Sequence, residues 1–188
     1  MISPPEAQAI VSANRINARS AMERMSREAF DVFYAQTAPM LRAYITRVAG
    51  NHVIADDILQ EAYIRLLNAA PAEEKRRKSY LYRTATNLIV DHCRAAARER
   101  SWLSALRWRQ PDAAPPGEPA TDVERVFALM SLRERSLLWL AYVEGAGHDE
   151  IARALDCGEK SVRVLLFRAR KKMERLLRQY NLSPGGLQ

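Results

Sequence analysis

Ala55-Asp56-Asp57-Ile58-Leu59-Gln60-Glu61-Ala62-Tyr63-Ile64-Arg65 carries its apolar residues at the spacing of a helix rather than of a strand. Ala55, Ile58, Leu59, Ala62 and the following Leu66 fall on one side of a 3.6-residue turn, which leaves Asp57, Gln60, Glu61 and Ile64 on the other. Asn51 has the side chain of a helix cap, so the pattern predicts a helix from about Val53 to Leu67. The same period recurs along most of the chain, and no alternating run flanked by hairpin turns interrupts it. The expected fold class is therefore all-α.

Upstream, Ser26 can cap a helix that begins at Arg27, and Pro39 is expected to divide that stretch by opening a second helix at its first turn. Downstream, residues 68–78 read as a charged loop around Pro71. Ser79 then caps a long helix with Leu81, Ala85, Leu88, His92 and Ala95 inward and Arg83, Asn87, Arg94 and Arg98 outward. Pro111, Pro115, Pro116 and Pro119 with Gly117 deny helical geometry to their neighbours. Two small helical domains, 20–100 and 121–182, are thus expected around a Pro-rich linker at 101–120, with loose tails at 1–19 and 183–188.

The C-terminal domain is strongly punctuated. Thr121 with Glu124, and Ser131 with Glu134, have capping-box spacing, in which each side chain satisfies an amide left free at a helix start. Gly145 can end the second of these helices, and Gly147 opens a short one holding Ile151, Ala152 and Leu155. A turn at Asp156, Cys157 and Gly158 leads to a last helix striped by Val162, Leu166, Ala169, Met173 and Leu176. These lengths are those of a helix-turn-helix.

The charge is distributed in the same two parts. The chain of 188 residues is 48% apolar, enough for real cores, and carries a formal charge of +7 with a sequence pI near 9.7. Lys75, Arg76, Arg77, Lys78, Arg83, Arg94, Arg98 and Arg100 face only Asp91 and Glu99. Lys160, Arg163, Arg168, Arg170, Lys171, Lys172, Arg175 and Arg178 face only Glu174. One such run is as readily a solvated helix face as a binding site; two in two domains favour a polyanionic partner such as nucleic acid. Cys93 and Cys157, far apart and without neighbouring ligands, suggest neither a disulfide framework nor a zinc site. No signal-peptide run or uninterrupted apolar span is visible, so a soluble, cytoplasmic protein without membrane insertion is expected.

Residues 55–65 resemble sigma region 2.2. Tyr80-Leu81-Tyr82-Arg83-Thr84-Ala85-Thr86-Asn87 with Asp91-His92-Cys93-Arg94 resembles regions 2.3 and 2.4, and Leu132 to Leu177, with Glu150-Ile151-Ala152 and Phe167-Arg168-Ala169-Arg170, is similar to sigma region 4. The order, with a short linker and no region 3 domain between, is that of the extracytoplasmic-function (ECF) group of the sigma-70 family. A helix-turn-helix alone would be weak evidence; the three segments in sequence are specific.

The resemblance implies a subunit that binds core RNA polymerase, through the beta-prime clamp helices and the beta flap, and directs it to promoter DNA. Asp57, Gln60, Glu61 and Arg65 would meet the clamp helices, although by themselves, without the resemblance, they read more readily as a wet helix face. The minus-ten element would be captured by Lys75, Arg76, Arg77, Lys78, Ser79, Tyr80 and Asn87, with Arg83, Arg94 and Arg98 on phosphates; an unstacked base needs such a pocket to recover its unstacking cost. Tyr80 and Tyr82 can equally be core aromatics. An Asn in mid-helix has weak propensity and is hard to justify by packing, which singles out Asn87. The minus-thirty-five element would be read by Ser161, Arg163, Val164, Phe167, Arg168 and Lys171, with core packing as the alternative for Phe167.

This sequence also departs from the family. Gly147 and Gly158 stand at helix starts where Ser or Thr is frequent, and Val164 and Leu165 where Ser and Arg are, so promoter preference does not carry over. The family often has a membrane-linked anti-sigma partner, but no residue here identifies one. His52, His92 and His148 lie in different segments without metal spacing, and no phosphate loop or nucleophile elbow is present, so no cofactor, metal or catalytic residue is expected. The competing readings are a free-standing helix-turn-helix regulator, which would bind paired half-sites without polymerase, and a recombinase, which would need a catalytic constellation not evident here.

Overall fold

The structure, a computed structural model, describes residues 27–69, 71, 73–106 and 121–182. The expected tails, the Ser26 cap and the linker from residue 107 lie outside the described residues. Seven helices and no strand are found among those described: α1 Arg27–Ala49, α2 Ala55–Ala69, α3 Glu74–Leu106, α4 Asp122–Ala128, α5 Leu132–Tyr142, α6 His148–Ala154 and α7 Glu159–Gln179.

Pro39 does not divide α1, which is continuous through it. Proline removes one helical hydrogen bond, but Pro39 lies on the exposed side, where the carbonyl it frees can be hydrated, while Phe33, Ala38, Leu41, Tyr44, Ile45 and Val48 form one buried stripe across the break. Packing on both sides of the proline overrides the local stop signal. Gly50, at φ 68°, ends the helix and donates its N–H to the Thr46 carbonyl at 3.0 Å.

Asn51 accepts a hydrogen bond from the Val53 amide at 2.9 Å and turns the chain into α2, which starts at Ala55, two residues later than expected. The predicted inner face, Ala55, Ile58, Leu59, Ala62 and Leu66, is buried, joined by Tyr63. Tyr63 shares a hydrogen bond of 2.6 Å with Thr37 of α1, and burial above all pushes its hydroxyl up to about 12.

The start of α3 departs most from expectation. Ser79 is not its cap but a buried residue in the second turn, because the helix already begins at Glu74. The Lys75–Lys78 run that reads as a loop consists of straight-chain residues with good helix propensity, and Arg77 ties it down through Nε to the Pro71 carbonyl at 2.8 Å. The inner face is also shifted. Leu81, Tyr82, Ala85 and Ile89 are buried, whereas His92 and Ala95 are exposed. The helix continues to Leu106, six residues past the expected domain boundary.

In the C-terminal half the caps form where the sequence places them. Thr121 Oγ1 accepts from the Glu124 amide at 3.2 Å. Ser131 accepts from the Glu134 amide at 3.3 Å, and Glu134 Oε2 accepts from the Ser131 amide at 2.8 Å. Gly145 adopts φ 64° in the turn after α5, and the Gly147 amide donates to Glu150 at 3.0 Å where no side chain can cap. Asp156, at φ 49°, makes the turn between α6 and α7, where a short polar side chain tolerates the left-handed conformation.

The two halves share a core. Leu137, Leu140, Ile151, Ala152, Ala154, Val162 and Leu166 belong to the same apolar cluster as the inner faces of α1, α2 and α3. At its centre Tyr44 is fully buried, its hydroxyl within 2.6 Å of Thr86 Oγ1 on α3 and donating to Ser136 Oγ on α5 at 2.9 Å. Burial raises the Tyr44 hydroxyl against the lowering influence of those hydrogen bonds.

Candidate nucleic-acid and partner interfaces

Three surfaces gather the residues singled out in the sequence. On α2, Asp57, Gln60 and Arg65 are exposed and Glu61 is partly so; Ile64 stands among them at 41% exposure. Glu61 and Arg65 pair along the helix at 2.7 Å. A bidentate pair that the sequence reading missed, Arg42 to Asp56 at 2.6 and 3.1 Å, fastens the start of α2 to α1, and the Arg42 bond holds the Asp56 carboxyl below its ordinary range. The α2 face therefore sits on a fixed base and presents charges of both signs around an exposed apolar side chain.

On α7, Ser161, Arg163, Val164, Phe167, Arg168 and Lys171 are all exposed, directly opposite buried Val162, Leu166 and Ala169. Phe167 is 54% exposed and Val164 49%, so neither is a core residue. A row of cations interleaved with exposed apolar side chains on a helix that follows a short helix and a turn has the shape and charge to enter a major groove.

The α3 surface is different. Asn87, Arg94 and Arg98 are exposed, and Asn87 opens into a cleft shared with Arg65, Arg94 and Arg133. Arg76 is exposed and paired with Glu73 at 3.0 Å, Tyr80 is half-buried, and Ser79 is buried at 7%, out of reach of a base in this arrangement. The Lys75 side chain lies outside the described residues. Tyr82 resolves as a core residue: it is 3% exposed, stacks edge-on against Tyr44, and donates its hydroxyl proton to Glu144. Burial first, and then that hydrogen bond, push its hydroxyl strongly upward. Lys78 reaches the same Glu144 at 2.6 Å, and Arg83 pairs with Asp156 at 3.1 Å.

Glu144, Ser136 and Asp156 escaped the sequence reading as contacts of the first half. Their partners lie far away along the chain, and no periodicity or spacing marks such pairs.

Among the described residues no group of three or more His, Cys, Asp or Glu could hold a metal ion, and no helix is long and apolar enough to cross a membrane. The molecule is thus a helical protein with a mixed-charge face on α2 and two basic faces, one on a helix-turn-helix.

Comparison with known proteins gives that description a family. Residues 33–99 match Sigma-70 region 2 and residues 121–173 match Sigma-70 region 4, together more than half of the chain. The ECF RNA polymerase sigma factor SigD of Mycobacterium tuberculosis (strain ATCC 25618 / H37Rv) is 27% identical over 144 residues, covering 71% of this chain and 68% of its own length. The ferric citrate uptake sigma factor FecI of Escherichia coli (strain K12) is 26% identical over 148 residues, covering 74% and 86%. In fold, the chain resembles the sigma factor RpoE from Bartonella quintana, solved with the anti-sigma factor NepR (TM-score 0.66, 18% identity, 80% of this chain and 98% of that one). It also resembles CnrH, solved with the cytosolic domain of CnrY (TM-score 0.60, 22% identity, 89% and 98%). The chain belongs to the sigma-70 family, as an ECF sigma factor. Sigma factors bind core RNA polymerase and promoter DNA, and this chain is a promoter-directing subunit of that kind.

Proposed function

We propose a division of labour among the three faces. The α2 face, through Asp57, Gln60, Glu61 and Arg65, docks on the beta-prime clamp helices; the beta flap engages the C-terminal half. The α3 face captures the melted minus-ten strand, with Asn87 as the base-contacting residue and Arg76, Lys78, Arg83, Arg94 and Arg98 on phosphates. The α7 face reads the minus-thirty-five duplex through Arg163, Val164, Phe167 and Arg168. Phosphate contacts supply salt-sensitive affinity and base contacts selectivity. The subunit does this by binding alone, without catalysis of its own, in the cytoplasm. An anti-sigma protein is a further partner, as the complexes formed by RpoE and CnrH suggest.

The observation that supports this reading best is the α7 face, whose six candidate residues are all free of the core while the opposite stripe is buried. A free-standing regulator would also present such a helix, but it would have no need of the region 2 unit. The test is in vitro transcription with sigma-free bacterial core polymerase on a genomic promoter library. Specific initiation that both Asn87→Ala and Arg168→Ala weaken is expected; tight duplex binding without initiation would favour the free-standing regulator.

A further inference from the structure

Two clefts open along α3, and their charges differ. In one, Arg76, Arg83 and Arg153 are matched by Asp149, Asp156 and Glu159. In the other, of about 700 Å3, Arg65 of α2, Arg94 of α3 and Arg133 of α5 face a single carboxylate, Asp91. Three guanidiniums brought together by three helices repel one another across that space, and the lining offers one anion where balance needs three. Two of the three can turn to a new partner. Arg65 rests on Glu61 of its own helix at 2.7 Å, and Arg94 stands 4.0 Å from Asp91, with both members of that pair 71% exposed. Exposed pairs of this kind are weak, so their guanidiniums change partner at little cost. Arg133 is exposed and has no carboxylate partner among the described residues. Val90, Leu132 and Leu155, all partly buried, line the same space with apolar surface, and Asn87 adds an exposed amide.

We infer that this cleft is a binding site for a small polyphosphate, either a free phosphate chain or that of a nucleotide. A guanidinium presents parallel N–H donors to two phosphate oxygens, and three of them from different helices suit a chain of several phosphates better than a lone ion. The apolar lining and the Asn87 amide suit a nucleobase beside such a chain. Arg133 has no part in the three faces proposed above, so the site goes beyond the promoter reading. Because Arg65 and Arg94 belong to the first half and Arg133 to the second, a bound ligand ties α2 and α3 to α5 and adds to the stability of the joined halves.

The test is isothermal titration calorimetry on the full chain, without magnesium and at constant ionic strength, with tripolyphosphate and with ATP. One ligand per chain is expected, and the thermal midpoint should rise with ligand concentration. Arg133→Ala should weaken binding about tenfold, as the loss of one charge-assisted hydrogen bond. Its midpoint without ligand should stay where it was, because the position is exposed. Arg133→Lys, which keeps the charge but not the fork, should fall between the two. Arg125→Ala, at an exposed arginine outside the cleft, should bind as the native chain does.

ATP binding more tightly than tripolyphosphate would assign the site to nucleotides; ATP binding no more tightly would assign it to the phosphate chain alone. The absence of both heat and midpoint shift would overturn the inference. So would sulfate at matched ionic strength displacing the ligand as well as tripolyphosphate does, several ligands bound per chain, or Arg125→Ala losing as much affinity as Arg133→Ala. Each of those three results is the signature of a diffuse counterion atmosphere rather than of a site.

Discussion

The two basic surfaces arise from runs of similar charge, yet the fold treats them differently. The run on α7 lies on the outer side of a helix whose inner stripe is satisfied by α4, α5 and α6, and its candidate residues are left open to solvent. The run on α3 lies on a helix that packs against α1 and α2 on one side and α6 on another, so Lys78 and Arg83 are paired with carboxylates of the C-terminal half. Equal charge in the sequence therefore does not mean equal availability. What decides it is how many sides of the helix the rest of the chain needs for its core.

The contrast can be broken most forcefully at the shared core. Ile151→Ala removes a fully buried side chain where α6 meets α3, and a loss of about 2–5 kcal/mol is expected in urea unfolding. If the halves are truly joined through this cluster, unfolding of the variant should separate into two transitions while the native chain shows one.

Arg168→Ala should cost about 1–3 kcal/mol in discrimination among minus-thirty-five sequences, read by transcription from variant promoters, and leave the unfolding midpoint where it was. A shift in stability would mean that the α7 face is less independent of the core than its exposure indicates.

Tyr44→Phe leaves Thr86 and Ser136 without their shared partner in a buried site, for a loss of about 1–2 kcal/mol. Because this hydroxyl joins α1, α3 and α5, the same variant should raise hydrogen exchange in both halves.

A smaller effect belongs to Glu134, which caps α5 and reaches Lys172 on α7 at 2.6 Å. Burial opposes its ionised form, but the Lys172 and Ser131 hydrogen bonds outweigh it and hold the carboxyl below its ordinary value of 4.5. A depressed folded-state value contributes stability that is present above the unfolded value and is lost as the pH falls through the folded one. Glu134→Gln keeps the capping geometry without the charge. Its deficit, about 0.2–1 kcal/mol at neutral pH, should close as the pH drops below 4.5. A deficit unchanged in acid would show that the charge has no part in it.

The smallest expected change in stability is that of Asp57→Ala, within about 0.5 kcal/mol for an exposed residue away from the core. Its affinity for core polymerase is the quantity that should fall.

Much of this was legible in the chain itself. The capping residues Thr121, Ser131 and Glu134 and the buried stripes of α2 and α7 stand where the sequence places them, because a cap bonds within one turn and a stripe repeats every three or four residues. Local signals misled where distant packing outweighed them. Pro39 was overridden by an apolar stripe on both of its sides, the cationic turn before Ser79 proved helical, and the inner face of α3 shifted toward Tyr82 and Ile89 because α6 also required a side of that helix. The Tyr44 hydroxyl bridge, the Glu144 contacts and the Arg83–Asp156 pair join residues 42 to 92 positions apart. Only the tertiary structure decides such pairs, since a short-range pattern states which face of a helix is apolar but not which other face it will meet.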